Sequence, residues 1–340
     1  MNVRSPMAPS RRAGRRALLG AAAAGAGAAA GLAGTARAQP AGWPARPVRF
    51  VVPFGPGSTP DVLARLVADR LAPALGQPVI VENRPGAGGN VGTEAVAKAA
   101  PDGHTVGVSI TGPLVNNTVL HARLPYDPFR DLAPVTLAAT QPNVLAVSAD
   151  LGVGTVRELL DLLRRNPGRY NYASVGAGTV SQLSMELIKA RTGTFIVHVP
   201  YNASPAAVMS ILQGDTHMAS LAPLAVLPQV KAGRLRALAV TTRDRSVFMP
   251  DVPTFREAGI ADIEATAWIG IVVPARTPQP IVERLNREIV AVLHDADVAA
   301  KLRAVYMDPV GNSPQAFAAF MQDELRRWTP VIRRAAITID

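Results

Sequence analysis

Twice the chain runs a short apolar stretch into a glycine-bordered loop and out again into an amphipathic helix: VRFVVPFGPGSTPDVLARLV from Val48, and RYNYASVGAGTVSQLSMELI from Arg169. A strand that breaks at glycine and resumes as a helix opens an α/β unit, and its recurrence at corresponding points predicts two lobes of similar wiring. From Pro47 onward, β-branched runs alternate with helical patterns throughout. Candidate strands fall at 48–52, 79–82, 105–110, 144–147, 170–173, 195–199, 237–241 and 268–273. Candidate helices fall at 60–72, 92–99, 156–165, 181–192, 205–213, 280–294 and 314–329. The expected fold class is α/β, each lobe a mostly parallel sheet flanked by helices.

In open α/β sheets a ligand sits beyond the carboxyl ends of the strands, where the next helices start, so a cleft between two lobes would be lined by both loops. In the first loop, Gly55 and Gly57 allow positive φ and close approach of the backbone to a ligand. Ser58 is expected to cap the helix by accepting from the Asp61 amide, and Pro60 fits because an early helical residue has no intrahelical partner for its N–H. In the second loop Gly176 and Gly178 play the same part, and Thr179, Val180, Ser181 and Gln182 spell a capping box. Each loop is expected to offer unpaired N–H groups and the positive end of a helix dipole, which together favour an anion. A helix end contributes about 0.3 to 1 kcal/mol to an exposed charge and up to about 2 when partly buried. Micromolar binding needs about 8 kcal/mol. Helix ends can therefore orient an anion, while hydrogen bonds in a closed, dry cleft must supply the rest. Either loop alone would pass for an ordinary connection; the pair favours a ligand.

The formal charge of +10 suggests nucleic acid, but six arginines, Arg4, Arg11, Arg12, Arg15, Arg16 and Arg37, precede Gln39 with no acidic residue among them. Without them 29 Lys and Arg face 25 Asp and Glu, a balance of +4, and aromatic content is 5%, so a nucleic-acid partner is not expected. The arginines belong to a leader: a cationic start, an Ala- and Gly-dominated run over 18–33, then the small-x-small site Ala36-Arg37-Ala38. Residues 1–38 read as an export signal, of twin-arginine type by the order Arg15-Arg16-Ala17-Leu18-Leu19, cleaved after Ala38 to leave an exported mature chain. A membrane anchor would need about 20 strongly apolar residues, and this run is rich in glycine, so no stable insertion of the mature chain is expected. With no cysteine there is no disulfide, thiolate metal site or cysteine nucleophile.

Catalytic patterns are missing from the sequence. Neither loop completes G-x-G-x-x-G, no lysine stands in a P-loop, and there is no G-x-S-x-G, H-E-x-x-H or EF-hand pattern. His104, His121, His198, His217 and His294 are scattered; His198 could face the cleft, though a satisfied core histidine is the simpler expectation. Asp61 in a helical first turn suits a cap or a loop brace, and nothing sets Asp61, Glu82, Asp102 or Asp127 in a catalytic pair. The expectation is a non-enzyme with no cofactor and no metal.

Several stretches resemble the tripartite tricarboxylate transporter substrate-binding proteins, the Bug family of periplasmic solute receptors. They are VPFGPGSTPD from Val52, LGQPVIVENRPGAGGNVGTEAVAKAAPDGHT from Leu75, LPYDPFRDLAPV from Leu124, YASVGAGTVSQL from Tyr172, HVPY from His198, GRLRALAVTTRDRSVFMPDVPTFREAG from Gly233 and WIGIVVPARTPQPIVERLN from Trp268. The resemblance covers about Trp43 to Arg334. It implies a two-lobed type II periplasmic-binding-protein fold, a small organic acid held largely by main-chain amides and waters, and delivery to the membrane carrier subunits of a tripartite transporter. The alternatives are a ligand-sensing receptor that docks on a membrane sensor, and an enzyme on the same fold. ENRPGAGG, with Arg84 and glycines to Gly89, reads first as the turn that starts the next helix.

The chain departs from the family pattern at Ser58 (usually Gly), Gln182 (usually His), Asn202-Ala203 (usually Arg-Gly), Ser210 (often Asp) and Ala219-Ser220-Leu221 (commonly carrying Asp or Asn). These departures weigh against a di- or tricarboxylate and leave room for a monocarboxylate, an aromatic acid or an uncharged ligand. The expected lobes are 43–142 plus 264–340, and 143–263, in a monomer, with 144–147 and 265–273 as the crossing strands. Phe54, Gly57, Ser58, Thr59, Asp61, Ser174, Gly176, Gly178, Thr179 and Tyr201 are expected to line the cleft.

Overall fold

Two sheets, each wired in the same order, position everything that follows. The structure is a computed structural model that describes residues 42–334 and 337. The export signal expected over 1–38 lies outside the described residues, as does its cleavage site.

The first half of the chain forms β1 (Val48–Val52), α1 (Thr59–Leu75), β2 (Val79–Asn83), α2 (Asn90–Ala97), β3 (Thr105–Ile110), α3 (Asn117–Leu120) and β4 (Leu132–Gln141). The middle forms β5 (Val144–Ser148), α4 (Val156–Arg165), β6 (Asn171–Ser174), α5 (Val180–Thr192), β7 (Val197–Pro200), α6 (Ser204–Gln213), β8 (Met218–Leu221), α7 (Pro223–Lys231) and β9 (Leu235–Val240). The end returns through β10 (Ala267–Pro274), α8 (Gln279–His294), α9 (Ala296–Ala304), β11 (Asp308–Pro309) and α10 (Pro314–Arg334).

The first sheet has the order β11-β4-β10-β3-β1-β2, the second β7-β6-β8-β5-β9. In each, three parallel strands joined through helices are followed by one antiparallel strand, β10 or β5, and then by β4 or β9. That odd strand is the first one laid down after the chain enters the sheet from the other. β1 reads as a nearly continuous apolar run because helices cover both faces of a sheet of this kind; Val48, Phe50, Val51 and Val52 are all buried.

The expected crossing strands need correction. β5 lies wholly inside the second sheet between β8 and β9, and β10 wholly inside the first between β3 and β4. The chain crosses instead at 142–143 and 265–266, where one side chain ties the two passes together. Thr241 Oγ1 accepts from the Asn143 amide (3.1 Å) and donates to the Ala265 carbonyl (2.7 Å), while Thr241 N donates to Asn143 O (2.9 Å) and Ala265 N to Thr241 O (2.8 Å).

α10 also departs from the expected partition. Phe317 and Met321 pack in the core of the first sheet with Val51 and Trp268, whereas Trp328 and Ile332 pack in that of the second with Leu145, Tyr172 and Leu183. The helix straps both cores. Its Glu324 is buried and accepts from the indole N–H of Trp268 (3.0 Å) and of Trp328 (3.2 Å), fixing β10 to the strap. Among the described residues no helix is long and apolar enough to cross a membrane.

Candidate functional site

The first loop, between β1 and α1, is built around one carboxylate. Asp61 is buried and accepts from the Gly57 amide (2.9 Å), Asn83 Nδ2 (2.9 Å) and Arg65 Nη2 (2.9 Å). Burial alone would raise its pKa; the hydrogen bonds from Arg65, Gly57 and Asn83 outweigh burial and hold it below the ordinary carboxylate value. Asp61 is thus a loop brace. The expected Ser58 cap is absent, because Ser58 Oγ donates back to the Gly55 carbonyl at 2.7 Å.

The second loop, between β6 and α5, is closed in a similar way. Ser174 Oγ accepts from the Gly176 amide (3.0 Å) and is hydrogen-bonded to His198 Nε2 (2.6 Å). His198 stacks on Tyr172 with ring centroids 4.9 Å apart, and burial pulls its pKa down to about 4, so it is neutral. Thr179 Oγ1 accepts from the Gln182 amide, as in a capping box, but Gln182 Oε1 reaches past Thr179 to the Gly178 amide at 2.7 Å. Gln182 Nε2 lies 3.4 Å from His198 Nδ1, so this side chain links the loop to the histidine.

The glycine amides therefore do not serve a ligand. Gly57 N goes to Asp61, Gly176 N to Ser174, Gly178 N to Gln182, and Gly55 N to Asn202 O of the facing lobe (3.1 Å). What the glycines provide is contact between lobes without side chains. A Cβ on Gly88 would strike the Ala177 carbonyl, one on Gly176 would strike Gly88 Cα, and one on Gly112 would press on the Gly178 carbonyl. Asn116 Nδ2 donates to that same Gly178 carbonyl at 3.1 Å. The ENRPGAGG stretch does precede a helix, α2, and its Gly88 is also where the first lobe touches the second loop. The lobes are closed on each other.

Between them lies a narrow cavity of about 40 Å³. Four helices of eight or more residues start on it: Thr59 of α1, Val180 and Ser181 of α5, Ser204 of α6, and Ala222 just before α7 are all at its wall. First-turn amides have no intrahelical partner, and the dipoles add positive potential. The strand ends bring Ile110, Thr111, Gln141, Asn143, Ala267 and Trp268. No charged side chain is among the lining residues. Three buried side-chain atoms on this wall find no hydrogen-bond partner among the described residues: Thr111 Oγ1, Gln141 Oε1 and Ser181 Oγ.

Of the ten residues expected at the cleft, Thr59 and Thr179 line this cavity. Phe54, Gly57, Ser58, Asp61, Ser174, Gly176, Gly178 and Tyr201 are not on its wall and instead shape the loops or touch the facing lobe. Phe54 packs near Gly89, Gly57 faces Pro205, and the Tyr201 amide donates to Ser174 O (2.9 Å). Sequence reasoning missed Thr111, Gln141, Asn143, Ser204 and Trp268. Thr111 and Gln141 stand at the carboxyl ends of β3 and β4, where a cleft is expected; Asn143 and Trp268 stand at the amino ends of the antiparallel strands β5 and β10, whose direction the sequence does not show, and Ser204 opens α6.

A sequence model described as the tripartite tricarboxylate transporter family receptor matches residues 63–337. The chain is 37% identical to the protein BugT of Bordetella pertussis over 292 residues, covering 86% of this chain and 90% of that one. It is similar to an R. palustris protein solved with adipate, with 36% identity, a TM-score of 0.84, and coverage of 87% and 99% of the two chains. It is also similar to MatC from Rhodopseudomonas palustris with bound malate, with 32% identity, a TM-score of 0.82, and coverage of 85% and 100%.

Proposed function

The chain belongs to the tripartite tricarboxylate transporter receptor family and has its two-lobed type II periplasmic-binding-protein fold, and from that premise we propose that it captures a small organic acid between its lobes and hands it to the membrane carrier of such a transporter. The observation that carries the reading is the convergence of four helix starts on an interlobe cavity with no charged side chain among its lining residues. An anion there is met by peptide N–H groups and hydroxyls in a water-poor enclosure, where each such hydrogen bond is stronger than in water. The bound adipate and malate of the two similar structures are acids of this size class.

In this reading Thr59, Thr111, Thr179 and Ser181 touch the ligand, while Asp61, Ser174, Gln182 and His198 hold the loops in shape. The two lobes are 43–142 with 264–327, and 143–263 with the end of α10, closing about the crossing at Asn143, Thr241 and Ala265. Residues 1–38 act as the cleaved export signal, which places the mature receptor in the periplasm.

The test is a thermal-shift screen of the purified mature chain against small carboxylic acids. A ligand at 100 times its dissociation constant stabilises by about 2.7 kcal/mol. A panel of mono-, di- and hydroxy-acids that leaves the melting temperature unmoved overturns the reading. Loss of uptake of the identified acid in a strain lacking only this receptor then tests delivery to the carrier.

A further inference from the structure

We propose that the ligand carries one carboxylate and, at its other end, a hydrogen-bond donor such as a hydroxyl or a primary amide, and that Gln141 selects for that donor. This rests on the receptor reading above and narrows it.

Few groups on the wall can discriminate between ligands. Thr111 Oγ1 and Ser181 Oγ have no hydrogen-bond partner among the described residues, but a hydroxyl donates or accepts as its neighbour requires, so neither sets a preference. Gln141 differs. One N–H of its Nε2 goes to Thr59 Oγ1 at 3.0 Å, and in that orientation of the amide Oε1, which can only accept, is the unpartnered atom. The residue is 5% exposed and ends β4 in register with Ala267 of β10, so the side chain cannot swing out to water. A buried acceptor without a donor is unfavourable, and a ligand hydroxyl or amide relieves that penalty. A carboxylate offers only acceptors and makes it worse.

Charge points the same way. One carboxylate can be served by first-turn amides, but a second would be desolvated beside a neutral carbonyl oxygen with no cationic side chain among the lining residues to offset it. Ile110, Val175, Leu221, Ala267 and Trp268 supply an apolar wall for a short hydrocarbon spacer. The Trp268 indole N–H is already held by Glu324, so the ring offers this wall its carbon surface alone.

Isothermal titration of the mature chain with matched acids tests this. The four-carbon set is succinamate, 4-hydroxybutyrate, butyrate and succinate; adipamate, 6-hydroxyhexanoate, hexanoate and adipate repeat it at six carbons. In at least one set a donor-bearing acid should bind about tenfold or more tightly than both its methyl and its dicarboxylate counterparts. Gln141→Leu should bring the donor-to-methyl ratio close to one, and Gln141→Met serves if the leucine variant does not fold; the ranking on the unaltered chain stands as a test without either. Equal or tighter binding of the dicarboxylate, or a donor preference that survives loss of the glutamine, overturns the assignment. Binding of all the acids without preference sinks this inference and leaves the receptor reading intact. If none of the eight binds, this inference falls, and the broader screen above still judges the receptor reading.

Discussion

A methyl group on Gly178 would collide with the Asn117 side-chain oxygen of the facing lobe, and Gly178 itself sits at φ +76. The collision concerns the closed state, and the positive φ concerns the fold of the loop itself. Gly178→Val should therefore weaken ligand binding by about 100-fold or more, since a ligand stabilises closure only through its preference for that state. The strain of positive φ on a β-branched residue should lower unliganded stability by about 1 to 3 kcal/mol. Titration calorimetry and urea unfolding separate the two effects; undiminished affinity would mean that closure does not bring Gly178 against Asn117. Asp61 shows how far single residues were legible in the sequence. Its position in a first turn after a glycine loop marked it as a cap or a brace as well as an expected cleft residue, and its hydrogen bonds from Gly57, Arg65 and Asn83 fit the brace. Ser58 looked like a cap by the same logic, yet its hydroxyl turns back to the Gly55 carbonyl, a local side-chain-to-backbone bond that competes with capping.

At the level of elements, the contact between β10 and α10 hangs on Glu324. Glu324→Ala would leave two buried indole N–H groups unpaired and should destabilise by about 2 to 4 kcal/mol. Glu324→Gln keeps one acceptor oxygen and should cost less. Urea unfolding of the two variants checks the order, and equal stabilities would show that the indoles do not depend on this side chain. Elements with β-branched runs or clear helical spacing were legible: β1, β3 and α4 fall at the expected residues. β4 and β8 were not, because LAPVTLAATQ contains a proline and much alanine, and MASL is four residues with no β-branched residue. Strand pairing in the sheet overrides weak local preference there. α7 was hidden by Pro223 and Pro228, of which the first suits a helix start and the second stays within the helix, and α9 by its nine-residue length right behind α8. These gaps explain why Gln141 and Leu221, which end the two unread strands, and Ala222, which precedes the unread α7, were not expected on the cavity wall.

For the whole molecule, the two-lobe plan was legible because the same passage of strand, glycine loop and helix occurs twice. The strap formed by α10 was not, because an amphipathic helix does not announce which core will receive each end of its apolar face. β10 lies between β3 and β4, yet the chain reaches it only after all of β5 to β9. The second sheet is contiguous in sequence; the first is not. A fragment spanning 143–263 should therefore unfold cooperatively by circular dichroism, with lowered stability because Trp328 and Ile332 of its core are absent. A fragment spanning 43–142 should show no cooperative transition, and finding one would mean that β1 to β4 hold together without their central partner. On the ribosome, then, the interior of this polypeptide matures ahead of its beginning. The lobe that emerges first is the last to be sealed, by a strand arriving from near the other terminus.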